Sequence, residues 1–169
     1  MSTSTFAVAR TNAISYAYTV TYVTTKMMLL LKEIIRQVGL DPASIDWPVC
    51  ENGISTWLAS QHLQCVTLEI YNPTTNGLVT KWDLHVVYDT IGEGTLWVDT
   101  AALRYAILKE GVVPATCRYD IIVSRKPGYR PVPGWNSCAF RSTDGFRRYS
   151  IGATTGGNGL HVQTAYWTR

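Results

Sequence analysis

Four cysteines, three histidines and twelve carboxylates are the groups in this 169-residue chain that could ligate a metal or carry nucleophilic or acid–base chemistry. A zinc site needs four ligands at compatible spacing. Cys50, His62 and Cys65 lie closest together, and the eleven residues between the first two suit no familiar finger. The bland alternative is one helix-buried thiol and one exposed histidine. Cys138 could pair with His85 or His161 as nucleophile and base, but nothing local in the sequence brings them together. The cysteines stand 15, 52 and 21 residues apart without a C-x-x-C pair, a pattern of buried structural thiols in a reducing compartment. Acidic residues are scattered, so paired-carboxylate catalysis has no home. Gly156-Gly157-Asn158-Gly159 is followed by no Lys and by a strand pattern, so it reads as a hinge and not as a phosphate cradle. These residues predict a binding protein with no catalytic centre, no cofactor and no metal site.

Charge is distributed unevenly. Residues 1–117 carry seven Lys/Arg against ten Asp/Glu, whereas residues 118–169 carry eight Lys/Arg against Asp120 and Asp144. Arg125, Lys126, Arg130, Arg141, Arg147 and Arg148 are interleaved there with Tyr129, Trp135, Phe146 and Tyr149. Three readings fit: a nucleic-acid grip, a solvated basic face, or a docking site for a protein partner. Six tryptophans and ten tyrosines in one chain favour contact surfaces, where such rings combine buried area with a polar handle. The longest apolar run, Met27–Leu31, is too short to span a bilayer, and the N-terminus lacks the form of a secretory signal. A single cytoplasmic domain over residues 1–169, without membrane contact, is the expectation.

The elements that would position these residues follow from periodicity. Residues 1–12 are Ser/Thr-rich and read as a mobile start, leading into a short edge strand by residue 14. Tyr16–Tyr22 alternates like a strand, but Val20, Val23, Met27, Leu30, Ile34 and Val38 repeat at three and four, so a long helix is expected from about Tyr18 to Val38, stopped by Gly39. Ser44-Ile45-Asp46 offers caps for a second helix over Val49–Ser60. Cys65–Tyr71 and Leu78–Tyr88 flank the turn 72–77 as a hairpin, with Val66, Leu68 and Ile70 matched by Trp82, Leu84 and Val86. Gly92 and Gly94 break the chain before Thr95–Val98. A third helix runs from Asp99 or Thr100 to Lys109, and a strand around Ile121 and Val123 ends at Lys126. Cys138–Ser142 and Phe146–Ile151 are read as a second hairpin about Thr143-Asp144-Gly145. Finally Leu160, Val162, Thr164 and Tyr166 alternate as a strand beyond the glycine linker 153–159.

This order resembles the HORMA domain, and most closely the bacterial HORMA proteins of CBASS antiphage loci. Tyr18–Leu40, the run Trp57–Pro73 (WLASQHLQCVTLEIYNP) and the tail Phe146–Arg169 carry the resemblance. It implies an α+β fold with three helices packed on a mainly antiparallel sheet and a C-terminal safety-belt segment, here 153–169. It also implies a regulatory adaptor that takes up a closure-motif peptide, binds and activates a cGAS-like nucleotidyltransferase, and is reopened by an AAA+ ATPase pulling on the N-terminus. A second HORMA protein is a further implied partner, and a small RNA- or ssDNA-binding module is the rival reading. On this resemblance the peptide would pair with Phe146, Arg147, Arg148, Tyr149 and Ile151. Leu160, Val162, Tyr166 and Trp167 would close over it, and Gly156, Gly157 and Gly159 would form the hinge.

Overall fold

The computed structural model describes residues 2–89 and 95–169, with side chains from Tyr16 onward. Helix α1 spans Ser2–Gln37, α2 Trp47–Ala59 and α3 Ala101–Glu110. The strands are β1 Leu63–Tyr71, β2 Leu78–Tyr88, β3 Trp97–Val98, β4 Arg118–Arg125, β5 Arg147–Gly156 and β6 Leu160–Thr168. They form one sheet in the order β3-β5-β6-β2-β1-β4, and every pairing is antiparallel. Among the described residues, no helix is long and apolar enough to cross a membrane.

The 3.6-residue pattern of α1 buries Val20, Val23, Met27, Leu31, Ile34 and Ile35 in the core it shares with α2 and the sheet. Gly39, at φ +91°, ends it: Gly39 N–H donates to Arg36 O and Leu40 N–H to Ile35 O, the paired bonds of a Schellman stop. The helix starts at Ser2, so the expected short edge strand is corrected to helical backbone; no Gly or Pro interrupts the chain between Ser2 and Val38. Asp46 caps α2 by accepting the Val49 N–H at 3.2 Å.

The β1–β2 hairpin has the expected faces. Val66 pairs with Leu84 and Leu68 with Trp82, and all four are fully buried. The opposite face is polar yet also buried, carrying Thr67, Glu69, Lys81 and Asp83. Asp83 accepts from the Thr67 hydroxyl and from Trp167 Nε1, both at 2.8 Å, which satisfies it.

The C-terminal third departs from expectation. Cys138–Ser142 is not a strand, and β5 pairs with β6 instead. The Asp144-Gly145 turn does form, with Phe146 N–H donating to Thr143 O, but it joins a loop to a strand. The expected linker 153–159 is the end of β5 plus the hairpin turn into β6. Its glycines serve contact: a Cβ on Gly156 would lie 2.7 Å from His161 Cβ, and one on Gly157 2.7 Å from Leu96 Cδ2. The expected break at Gly92 and Gly94 lies outside the described residues.

Candidate functional site

β4 is the last strand of the sheet, so one row of its peptide N–H and C=O groups faces outward, with no strand beside it among the described residues. The chain leaving β4 does not run clear of this edge. Residues 126–146 cross it as a strap, passing from the helix side of the sheet to its opposite face. Two sets of contacts fasten the strap.

At the helix end, Trp135 donates from Nε1 to Val49 O at 3.2 Å and meets the Trp57 ring edge-on at 5.3 Å. Trp57 donates from Nε1 to Arg130 O at 2.7 Å. The Arg125 guanidinium lies 4.4 Å over Trp57 and 3.7 Å over Tyr129. Val132 is buried in the core beside them. Gly53 makes this seat possible, because a Cβ there would collide with the indole of Trp135. A glycine in mid-helix costs about 1 kcal/mol relative to Ala, and here it admits the ring.

At the far end, Arg141 is the fastening. Its backbone N–H donates to Glu69 at 3.1 Å, and its Nη1 donates to Glu69 at 2.9 Å and to Asp120 at 3.0 Å. Its Nε reaches Asn76 Oδ1 at 3.1 Å, and its plane stacks on Tyr71. Glu69 is fully buried, so the strap supplies the charge that its carboxylate needs.

Between the two fastenings lies a cavity of about 390 Å³. Ile45, Val49, Cys50 and Trp135 form its helix side, and Ile121 and Ile122 contribute from β4. Asp46 and Asp120 line it as well, with Cys138 on the strap side. Burial pushes the Cys50 thiol up to about 12, with a smaller contribution from the nearby Glu51 charge. A hollow with a largely apolar helix wall, beside a strand edge unpaired among the described residues, can accept an extended chain; the Cys50 thiol is not a ready nucleophile. Among the described residues, no three His, Cys, Asp or Glu side chains converge as metal ligands.

The residues assigned from sequence lie elsewhere. Phe146 precedes β5, where Arg147, Arg148 and Tyr149 are exposed and Ile151 is half-buried. The outer edge of Arg147–Ile151 is unpaired among the described residues, because β3 meets only Thr155 and Gly156. Leu160, Val162, Tyr166 and Trp167 do not close over that edge. They belong to β6, an interior strand between β5 and β2, and the first three are buried. Gly156, Gly157 and Gly159 sit at the β5–β6 turn, packed against Trp97, Leu96 and Tyr16, and not in a free hinge. The sequence reading missed Trp57, Glu69 and Asp120 as site residues, and it named Trp135 and Arg141 within the basic third without their joint role. One signal was present: twenty-one residues between strands, containing Pro131 and Pro133, are too many for an idle connection.

The model of the family described as bacterial HORMA domain 2 matches residues 8–169. The chain belongs to that family. Solved structures share the HORMA fold. A chain in the crystal structure of a mitotic checkpoint complex matches this HORMA domain with a TM-score of 0.72 at 12% identity, over 89% of this chain and 98% of that one. C. elegans HTP-2 bound to a HIM-3 closure motif gives 0.60 at 10% identity, over 83% and 85%. A chain of the E. coli CdnC:HORMA-deltaN complex gives 0.57 at 9% identity, over 91% and 89%. No curated protein matches the sequence.

Proposed function

We propose that this HORMA domain is a non-catalytic regulatory adaptor that captures an extended closure-motif peptide along the outer edge of β4, beneath the 126–146 strap. The observation that carries the reading is an unpaired strand edge held under a segment fastened on both sides of the sheet. A peptide added there gains main-chain hydrogen bonds from β4 and side-chain burial in the 390 Å³ cavity. The HTP-2 neighbour, which is bound to a closure motif, supports the peptide class.

The adaptor's partner is a cGAS-like nucleotidyltransferase of an antiphage locus, which it binds and activates. The CdnC:HORMA-deltaN neighbour supports that choice. Release follows when an AAA+ ATPase pulls on the N-terminal residues 1–12 and frees the strap. A second HORMA protein is a further partner in the same scheme.

Hydrogen exchange tests the capture site. A peptide selected on the full chain should protect amides within 118–125 and 126–146. Protection confined to 147–153 would move the site to the outer edge of β5 and overturn this assignment. For the partner, co-expression with the nucleotidyltransferase should give one size-exclusion peak; two separate peaks, with and without peptide, would count against it.

A further inference from the structure

The lining of the β4 groove specifies more than an extended chain. Leu68, whose side chain lies in the core, pairs with Ile121, and antiparallel partners share a face. Tyr119, Ile121 and Val123 therefore point toward the helices, while Asp120, Ile122 and Ser124 point to the opposite face. Tyr119 Oη donating to Asp41 O and Asp120 accepting from Arg141 agree with this division. A strand added beside β4 continues the alternation, so its residues also point in turn toward the helices and toward the strap.

The helix side of the cavity is apolar, walled by Ile45, Val49, Cys50 and the Trp135 ring. At about 390 Å³ it exceeds the roughly 150 Å³ that encloses a benzene ring in an apolar protein cavity. Among the described residues, the ionic groups on its lining are both acids, Asp46 and Asp120. Arg141 meets two carboxylates, Glu69 and Asp120, with one guanidinium. Lys81, across the strand pair from Glu69, sets its ammonium 4.4 Å over Phe140 and 5.7 Å over Trp167. Arg125 is stacked between Trp57 and Tyr129 at the strap's first fastening. An excess of negative charge remains beside the apolar helix wall of the cavity.

We infer that the peptide this groove takes is basic and apolar: one large side chain, Leu, Met or Phe, opposite Ile121, with Lys or Arg within two positions of it. This rests on the peptide-capture reading and names the ligand chemistry of that site. The apolar anchor fills the cavity, and the neighbouring cations meet Asp120 on the strap side and Asp46 on the helix side.

The probe is a random nine-residue peptide library displayed on phage and selected on the full chain, followed by fluorescence anisotropy with the recovered peptides. Two variants read the two halves of the inference. Val49→Phe narrows the cavity, and it should weaken peptides with a large anchor by about tenfold or more while sparing an Ala-anchored version. Asp46→Asn keeps an N-cap oxygen and removes the charge, so α2 stays capped. It should weaken binding by up to about fivefold at low salt and leave a smaller salt dependence. Circular dichroism and thermal melts establish that each variant is folded, and Asp46→Asn reads the charge even if Val49→Phe is not. Recovered peptides without an apolar anchor flanked by cations, or affinities indifferent to Asp46→Asn, overturn this inference and leave peptide capture standing. Recovery of no peptide at all overturns both.

Discussion

Arg141 and Glu69 set the terms at the scale of single residues. Glu69 is fully buried, and among the described residues the Arg141 main chain and guanidinium donate to it. Removing one member of such a pair strands a buried charge, whereas replacing both with apolar groups can be nearly neutral. Arg141→Ala should therefore lower stability by about 3 kcal/mol in urea unfolding. The double variant Glu69→Leu/Arg141→Leu should recover much of that loss. Equal losses in the two would refute the clasp. The buried thiols give a second expectation. Burial, aided by the Glu51 charge, raises Cys50 to about 12; burial, offset in part by the Thr67 hydrogen bond, raises Cys65 to about 11. Unfolded thiols ionise near 9. Because both folded values are raised, their contribution to stability is complete below about pH 9. It is then lost as the pH rises toward 11–12, with a slope of up to about 1.4 kcal/mol per unit for each thiol. Cys50→Ala/Cys65→Ala should flatten that alkaline decline in urea titrations between pH 8 and 10.5.

Secondary-structure elements carry a different lesson, in which glycines report contact more than freedom. Gly53→Ala in α2 would raise stability by about 1 kcal/mol if helix propensity decided the matter. Because a Cβ there meets Trp135 and Trp57, the substitution should instead unseat the strap and speed limited proteolysis within 126–146. Unchanged cleavage would show that Trp135 does not hold the strap. Strand β6 makes the second case. It lies between β5 and β2, pairing Val162 with Val86 and Thr164 with Leu84. Truncation after Gly152 should therefore abolish the cooperative thermal transition, and a folded remnant by circular dichroism would contradict the sheet order. The long helix and the β1–β2 hairpin were legible in the sequence because their signals are local: a 3.6-residue repeat, a two-residue alternation and strong turn residues. The strap and the β5–β6 pairing were not. Asp144-Gly145 is a good turn in any context, and it drew a hairpin between Cys138–Ser142 and Phe146–Ile151. The competing turn is Gly157-Asn158-Gly159, where β5 reverses into β6; what no local pattern records is that β2, seventy and more residues before β6, holds the other edge of that hairpin. Likewise Gly156 and Gly157 look alike as hinge and as contact points until Trp97, Leu96 and Thr19 are in place.

Across the whole molecule, the fold spends much of its basic third on its own aromatic rings. Arg125 lies on Trp57 and Tyr129, Lys126 on Tyr88, and Arg169 on Phe146, while Arg141 is held by Glu69 and Asp120. These four of the eight cations in residues 118–169 are engaged within the fold, which leaves fewer charges and rings for the phosphate and stacking contacts that single-strand binding requires. A fluorescent oligonucleotide should therefore show no salt-dependent anisotropy shift at micromolar protein; a steep salt slope would restore the nucleic-acid reading. The strap, tied down at Trp135 and at Arg141, has one more consequence. Strap and sheet together make a closed ring of covalent chain and fastenings, and a strand lying through that ring is threaded, not merely adsorbed. Its escape would then be governed by how often the ring comes undone, and only weakly by the number of contacts it makes. The dissociation rate of a captured peptide should carry the steep temperature dependence of protein unfolding, about three- to sixfold per 10 °C. Peptides of very different affinity would then leave at similar rates and differ mainly in how readily they are taken in.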